Sequence, residues 1–344
     1  MIRSVYLSLF LVWVAASVVL AQETGDPTIR NPVRVVANQV LTVTDGNASG
    51  EARLFVLQDW SKPLPAVKRA IVLIHGAHRD ADVTRRDIVK LLDSGVAPKG
   101  ETLVILPQFL TEPDVAKHKL PAQTLWWTAD GWSAGSTAKG NAAISSYTVL
   151  DTILARLADK ERFPALAQVV VAGHSAGGQT TQRYAIEGRG DAPLVARGVH
   201  VRYVVANPSS YAYFSADRPV APDAASCPQY NNWKYGMLHL NAYAQKADPA
   251  AMEATYVSRD VVYLLGLADT DPKHRDIDRG CSAETQGLTR LARGEAYTKY
   301  MATRHPGLTH PVWFIPKVAH NGGKMFGSAC GQLALFDKPG CKNP

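Results

Sequence analysis

The sequence predicts an α/β fold, in which a mostly parallel twisted sheet is covered by helices on both faces. Short apolar runs rich in Val, Ile and Leu recur along the chain, as expected of buried parallel strands. Segments with helical spacing or long polar loops separate these runs, so consecutive strands are expected to be joined by crossovers. The 344 residues are 46% hydrophobic and contain no low-complexity linker or internal repeat, which favours one large core.

The predicted strands follow one another in a regular order. Residues 33–59 alternate enough to suggest two antiparallel edge strands before the parallel sheet. Residues 145–157 carry an apolar stripe that is compatible with a helix. Two long insertions interrupt the pattern, at 111–141 and 209–241. Six apolar runs predict the parallel strands, at 70–74, 101–106, 168–172, 201–206, 260–266 and 310–315.

A serine lies directly after the strand predicted at 168–172. The segment Gly173-His174-Ser175-Ala176-Gly177 matches G-x-S-x-G, in which a serine occupies a strained turn between a strand and a helix. The strand before it and the helix-compatible segment after it supply the expected context. The alternative is an ordinary strand–turn–helix corner that happens to contain a serine.

A serine hydroxyl needs a base and an orienting acid to act as a nucleophile. Asp269 follows the strand predicted at 260–266, and His320 follows the strand predicted at 310–315. Both are therefore expected at the carboxyl edge of the sheet, where parallel sheets present their sites. For the acid, Asp271, Asp276 and Asp278 are alternatives, and this acidic loop could instead be a solvated surface or a weak Ca²⁺ site.

With these residues in the order Ser, Asp, His, and with His75-Gly76 after an early strand, residues 69–326 resemble the α/β-hydrolase superfamily. The chain is most similar to secreted serine hydrolases, a group that includes polyester depolymerases, feruloyl-type esterases and poly(aspartic acid) hydrolases. The resemblance implies a catalytic set of Ser175, Asp269 and His320. It also implies an oxyanion hole formed by backbone N–H groups of Ala176 and of Ala77 or His78.

The implied activity is cleavage of an ester or amide bond through an acyl-enzyme, without a metal or organic cofactor. His75 is expected to be a buried packing residue, because an H-x-x-H pair with His78 on a loop does not fix two metal ligands on one face. The alternatives are an amidase or peptidase, such as a poly(aspartic acid) hydrolase, and an inactive binding protein on the same scaffold.

The N-terminus and the cysteines predict export. Residues 1–21 combine a short basic start, an apolar run and small residues at the end, as in a cleaved signal peptide, which leaves 22–344 as one catalytic domain. The expected location is secreted or periplasmic, with no stable membrane anchor after cleavage. Four cysteines allow three pairings, of which we favour Cys227–Cys281 between the insertions and Cys330–Cys341 near the C-terminus.

The insertions are expected to shape the substrate pocket. Their aromatic residues could form a cleft for a small-molecule or polymeric ester or amide, or could simply pack between loops. Arg79, Arg85, Arg86 and Arg218 would favour an anionic substrate if they lie near the site, and otherwise form a solvated face. The net charge is +7, but the sequence lacks the clusters of basic residues that are typical of a nucleic-acid binder. The candidate pocket residues are Arg79, Trp126, Trp127, Trp132 and Tyr211.

Overall fold

A computed structural model of the protein describes residues 27–223 and 225–342. The signal segment expected at 1–21 lies outside these residues. Within the described ranges, no helix has both the length and the apolar character needed to cross a membrane.

Eight strands of the described chain form one sheet. The strands are β1 (Gln39–Asp45), β2 (Ala48–Val56), β3 (Arg69–Ile74), β4 (Thr102–Gln108), β5 (Gln168–His174), β6 (His200–Ala206), β7 (Asp260–Gly266) and β8 (Val312–Ile315). Their order in the sheet is β1-β2-β4-β3-β5-β6-β7-β8. Strands β3 to β8 are parallel to one another, whereas β2 is antiparallel to both β1 and β4.

Helices cover both faces of this sheet. The helices are α1 (Ala81–Asp93), α2 (Glu112–His118), α3 (Ser146–Leu157), α4 (Ala176–Glu187), α5 (Ala192–Ala196), α6 (Pro249–Ser258), α7 (Cys281–Glu284), α8 (Arg290–Arg304), α9 (Gly322–Gly327) and α10 (Ala329–Phe336). Alternate residues of β5 pack on opposite faces of the sheet. Val169 and Val171 belong to one buried cluster with α3, α4 and α8, whereas Val170 and Ala172 belong to another with α1, α9 and α10.

The predicted α/β architecture is confirmed, with small corrections at one edge and one strand end. Two edge strands were expected at 33–59, but only β1 lies at the edge of the sheet, because β2 pairs with both β1 and β4. The last strand begins at Val312 rather than at 310. Pro311 precedes it and has no N–H to donate to a ladder, although its carbonyl accepts from Tyr263 N–H at 2.9 Å.

The two expected disulfides are present. Cys227 is bonded to Cys281, and Cys330 is bonded to Cys341. The first bond joins the long segment after β6 to the start of α7, and therefore limits the motion of the loop between β7 and α7. The second joins α10 to the C-terminal segment.

Removing the two bonds should have different consequences. In the chain-entropy account, a bond across 54 residues stabilises the fold by about 4 kcal/mol and one across 11 residues by about 3 kcal/mol. We expect Cys227→Ser with Cys281→Ser to lower the free energy of unfolding in urea and to expose residues 267–280 to limited proteolysis. The matched control, Cys330→Ser with Cys341→Ser, should lower stability without that local cleavage. Free thiols in the unreduced, denatured protein would contradict the prediction.

Candidate active site

The chain turns sharply at Ser175. This residue has φ 61° and ψ −123°, a conformation that costs an ordinary residue about 1–3 kcal/mol. It lies between the end of β5 and the start of α4, and its N–H donates to Ala206 O of the neighbouring strand at 3.0 Å. The turn therefore places Ser175 at the carboxyl edge of the sheet and at the N-terminus of α4.

Glycines allow the close backbone packing around this turn. A Cβ atom on Gly173 would overlap the backbone of Gly177, and a Cβ atom on Gly177 would overlap the carbonyl oxygens of Ile74 and His75. Strand β3, strand β5 and helix α4 consequently meet backbone to backbone. Any side chain at these positions would push the serine out of place.

Three side chains predicted from the sequence meet at this edge. His320 Nε2 lies 2.9 Å from Ser175 Oγ, and His320 Nδ1 lies 2.8 Å from Asp269 Oδ2. An ionised carboxylate can only accept a hydrogen bond, so Nδ1 carries a proton and its N–H donates a hydrogen bond to Asp269. Nε2 is then free to accept the hydrogen bond from the serine hydroxyl. Asp271, the alternative acid, is exposed, and its carboxylate accepts from Lys273 N–H instead.

The loops that carry the acid and the base are packed against each other. Ala268 N–H donates to Val318 O at 3.0 Å, and a Cβ atom on Gly266 would overlap the same carbonyl oxygen. Asp269 N–H closes a turn onto Gly266 O at 3.0 Å. The distance between the carboxylate and the imidazole is therefore set by backbone contacts as well as by their own hydrogen bond.

Burial controls the charge state of the pair. Burial lowers the pKa of His320 well below its ordinary value, and the positive charge of Arg290 lowers it further. Burial also raises the pKa of Asp269, and Arg290 opposes that shift. The imidazole is consequently neutral at neutral pH and able to accept a proton.

Sequence reasoning missed Arg290. Its side chain is fully buried, and Nη1 lies 3.5 Å from Asp269 Oδ1. Nε donates to Ser209 Oγ at 2.9 Å, which fixes the guanidinium between the acid loop and the segment after β6. Burial lowers the pKa of Arg290 to about 10, so it remains a cation at neutral pH. No motif marks this position, because it begins a helix 21 residues after the acid.

Two further histidines pack on the ring of His320. The ring centroid of His174 lies 4.5 Å from that of His320, and the ring centroid of His274 lies 5.0 Å from it. Burial and the neighbouring His320 lower the pKa of His174 well below its ordinary value, so it packs as a neutral ring. His320 is held between these rings as well as by its two hydrogen bonds.

The loop after β3 runs beside the serine. A Cβ atom on Gly76 would lie 3.9 Å from Ser175 Cβ. The backbone N–H groups of Ala77, His78 and Ala176 form no hydrogen bond with any residue in the described ranges, so they are free to donate to a bound oxygen. The oxyanion hole predicted from the sequence would use these groups.

Histidine side chains hold this loop in place. Phe109 N–H donates to His75 Nε2 at 3.0 Å, and His75 Nδ1 donates to Gly76 O at 2.8 Å. Burial lowers the pKa of His75 to about 4, so it is a neutral packing residue. His78 Nε2 lies 3.1 Å from Asp276 Oδ1, and that carboxylate raises the pKa of His78. The His78–Asp276 pair thereby joins the loop after β3 to the loop after β7.

A cavity of about 390 Å³ opens beside Ser175 and His320, between α1 and the start of α9. Its volume is in the range of small-molecule sites. Apolar side chains and carboxylates share its wall. The lining includes Ile74, Gly76, Ala77, His78, Asp80, Val83, Thr84, Asp87, Ile88, Leu91, Arg275, Asp276, Asn321, Gly322, Gly323 and Phe326.

The pocket residues expected from the insertions are not in this wall. Trp127, Trp132 and Tyr211 are buried in the core, and Trp126 is half-buried against Gly140. Arg79 is also fully buried. The insertions fold back onto the sheet, so their aromatic side chains take the second of the two alternatives given above and pack inside the protein, where large rings bury more apolar area than at a pocket rim. Trp132 stacks on Phe109, Tyr211 stacks on Tyr297, Trp127 meets Phe109 edge-on, and Arg79 pairs with Asp114.

Replacing Arg290 should shift the titration of the Asp269–His320 pair. Loss of a buried positive charge makes proton binding more favourable, so Arg290→Met should move the pair's titration to higher pH. The titration can be followed through the ring resonances of His320 by NMR. Arg290→Lys keeps the charge and should stay close to wild type. An unchanged titration in the folded Arg290→Met protein would show that the guanidinium has only a packing role.

Comparisons with known proteins give the fold but no near relative. No protein-family model matches the chain, and no curated protein matches it. Poly(aspartic acid) hydrolase-1 from Sphingomonas sp. KT-1 aligns with a TM-score of 0.58 and 21% identity, over 89% of this chain and 99% of that one. LpqC, a poly(3-hydroxybutyrate) depolymerase from Bordetella parapertussis, aligns with a TM-score of 0.57 and 20% identity, over 88% and 92% of the two chains. With its eight-stranded sheet and these two structural neighbours, the chain has the α/β-hydrolase fold.

Proposed function

We propose that this protein is a secreted serine hydrolase that cleaves ester bonds through an acyl-enzyme. The observation that carries the proposal is the hydrogen-bonded series from Ser175 to His320 to Asp269, built on a positive-φ turn. The apolar start of the sequence and the two disulfides support export, because disulfides persist mainly in oxidising compartments.

In the proposed reaction, Ser175 Oγ attacks the substrate carbonyl carbon while His320 Nε2 takes the hydroxyl proton. The carbonyl oxygen becomes an anion that the N–H groups of Ala176 and of Ala77 or His78 stabilise, at about 2.7–4 kcal/mol for one donor. His320 then gives the proton to the leaving oxygen, and an ester between substrate acyl group and Ser175 remains. Water activated by His320 hydrolyses that ester. Asp269 orients the imidazole and stabilises its charged form throughout.

These side chains can also cleave amides, so amide hydrolysis is the second candidate. The fold is shared with a poly(aspartic acid) hydrolase as well as with a polyester depolymerase. We favour esters, because an ester carbonyl lacks the strong resonance stabilisation of an amide and is therefore attacked more readily by the serine. A non-catalytic binding protein on this scaffold is the third candidate, but it would have no need for a serine strained into contact with a neutral histidine.

Replacing the proposed nucleophile tests the proposal directly. Ser175→Ala should abolish labelling by a fluorophosphonate and should reduce ester turnover by several orders of magnitude, since loss of a triad serine costs on the order of 10⁶ in a comparable hydrolase. Circular dichroism should show an unchanged fold. Ser258→Ala, an exposed serine at the end of α6, is the matched control and should behave as wild type. Residual turnover above about 1% in Ser175→Ala would reject this nucleophile.

The acid can be assigned with a second matched pair. Asp269→Asn should lower kcat by up to about 10⁴, because the amide favours the wrong imidazole tautomer. Asp271→Asn removes an equal charge from the same loop but from an exposed side chain, and should change kcat by less than about tenfold. Ester kinetics on both folded variants give the comparison. The reverse order of kcat values would make Asp271 the acid.

A further inference from the structure

The arginines that could attract an anionic substrate are engaged elsewhere. Arg79 is fully buried, where Nε donates to Asp114 Oδ2 at 2.8 Å and its other nitrogens donate to backbone carbonyls. The guanidinium of Arg218 lies 4.4 Å from the ring centroid of Tyr213 and donates to carbonyl oxygens of its own insertion. Neither side chain belongs to the cavity wall beside Ser175 that the described residues form.

Two more arginines lie on α1 but face away from the cavity. Arg85 lies over the ring of Phe55 at 5.6 Å, and Arg86 Nη1 lies 3.6 Å from Asp82 one turn earlier. Both are exposed, and neither lines the cavity in the described part of the chain. None of the four arginines considered from the sequence therefore belongs to the cavity wall in the described part of the chain.

The cavity instead carries carboxylates. Asp80, Asp87 and Asp276 all line it. Asp276 already has positive neighbours, since His78 lies 3.1 Å and Arg275 3.8 Å from its oxygens. Asp80 is influenced by the positive charges of His78 and Arg79, which lower its pKa, but burial has the larger effect. Burial raises the pKa of Asp80, which shows that water screens this carboxylate less than it screens a surface one.

One face of α1 supplies both charge and apolar surface. Val83, Asp87 and Leu91 recur every four residues, so they form one stripe along the helix, and that stripe faces the cavity. Asp87 reaches across to the start of α9, where a Cβ atom on Gly323 would lie 2.7 Å from its Oδ2. Phe326 closes the apolar part of the wall from α9. A group entering this space meets hydrocarbon on one side and carboxylates at its edge.

We propose that this cavity receives an uncharged or cationic apolar group of the substrate and rejects a group that carries a carboxylate, with Asp80 and Asp87 as the specificity-determining residues. The proposal rests on the proposed serine hydrolase function and names its substrate class. In the described part of the chain, a substrate carboxylate placed in the cavity would lie beside Asp80, Asp87 and Asp276, and the cationic side chains of the wall, His78 and Arg275, already lie beside Asp276. Neutral aliphatic or aromatic esters therefore suit the site, and polyanions such as poly(aspartic acid) do not.

The experiment compares three p-nitrophenyl esters of similar length: the hexanoate, the monoester of adipic acid, and an ω-trimethylammonio-pentanoate. A second series consists of phenyl acetates in which the phenol leaving group carries a neutral, an anionic or a cationic substituent. Both series are needed because the cavity could hold either the acyl group or the leaving group of the substrate. In the full-length mature protein at low ionic strength, kcat/KM for the anionic substrate should fall at least about tenfold below the neutral one in one series, mainly through KM. The cationic substrate should equal or exceed the neutral one.

Variants and salt then assign the discrimination to the two carboxylates. Asp80→Asn and Asp87→Asn should each reduce the anionic penalty by at least about threefold, and added salt should reduce it in wild type. Asp93→Asn removes the same charge from the end of the same helix, away from the cavity, and should leave the penalty unchanged. Because Asp87 is exposed, its replacement should not disturb folding even if that of Asp80 does.

The experiments distinguish a failure of the charge selection from a failure of the hydrolase function. Equal kcat/KM values for all three substrates in both series, or a preference for the anionic substrate, would overturn the charge selection. In that case, fluorophosphonate labelling of Ser175 would still support the hydrolase function. A penalty that neither aspartate variant reduces would overturn the assignment to Asp80 and Asp87. Absence of both labelling and turnover in wild type would overturn the hydrolase function itself, and the charge selection with it.

Discussion

The contact between backbones at the Ser175 turn is the constraint on which the site depends. Gly177 lies against the carbonyl oxygens of Ile74 and His75, so the start of α4 and the end of β3 cannot move apart independently. This one contact fixes the serine, the first N–H groups of α4 and the loop that begins at His75. The strain of the positive φ is sustained by the buried strands on either side, since β5 pairs with β6 along its whole length and with β3 over residues 168–173.

The acid and base are held by a different kind of constraint, a buried set of charges. Asp269 and Arg290 are both removed from water, which is costly unless each compensates the other. Their separation of 3.5 Å, and the hydrogen bonds from His320 and to Ser209, offset part of that cost. The charges thus work in opposite directions on the imidazole. Asp269 accepts a hydrogen bond from the Nδ1–H group, whereas the positive charge of Arg290 disfavours a second proton on the ring.

The sequence alone was sufficient to predict the order of the strands along the chain and the three side chains that meet at the edge of the sheet. These follow from local signals, namely apolar runs, a short glycine-rich turn, and polar residues directly after strand ends. The failures share a cause, because they depend on how a segment packs against distant parts of the chain. Trp132 and Tyr211 were expected at a rim and lie in the core, and nothing local distinguishes the two outcomes.

Arg290 and Asp87 lie near the site, but the sequence did not predict their positions. Both stand in amphipathic helices rich in charged residues, where most charges are solvated. Only the fold reveals that one guanidinium is buried against the acid loop and that one carboxylate faces the cavity. The overall charge of the chain is equally uninformative here, since it averages over the surface and says nothing of the cavity wall.

The cavity wall and the reacting groups belong to separate parts of the architecture. Ser175, Asp269 and His320 stand on loops after β5, β7 and β8, whereas one long wall of the cavity is a face of α1, which touches none of the hydrogen bonds among them. Substitutions along that single helix face can accumulate without altering the chemistry. Substitutions at the α1 positions that line the cavity could therefore change which substrates it admits, and a directed-evolution library confined to five or so positions there would sample the same change.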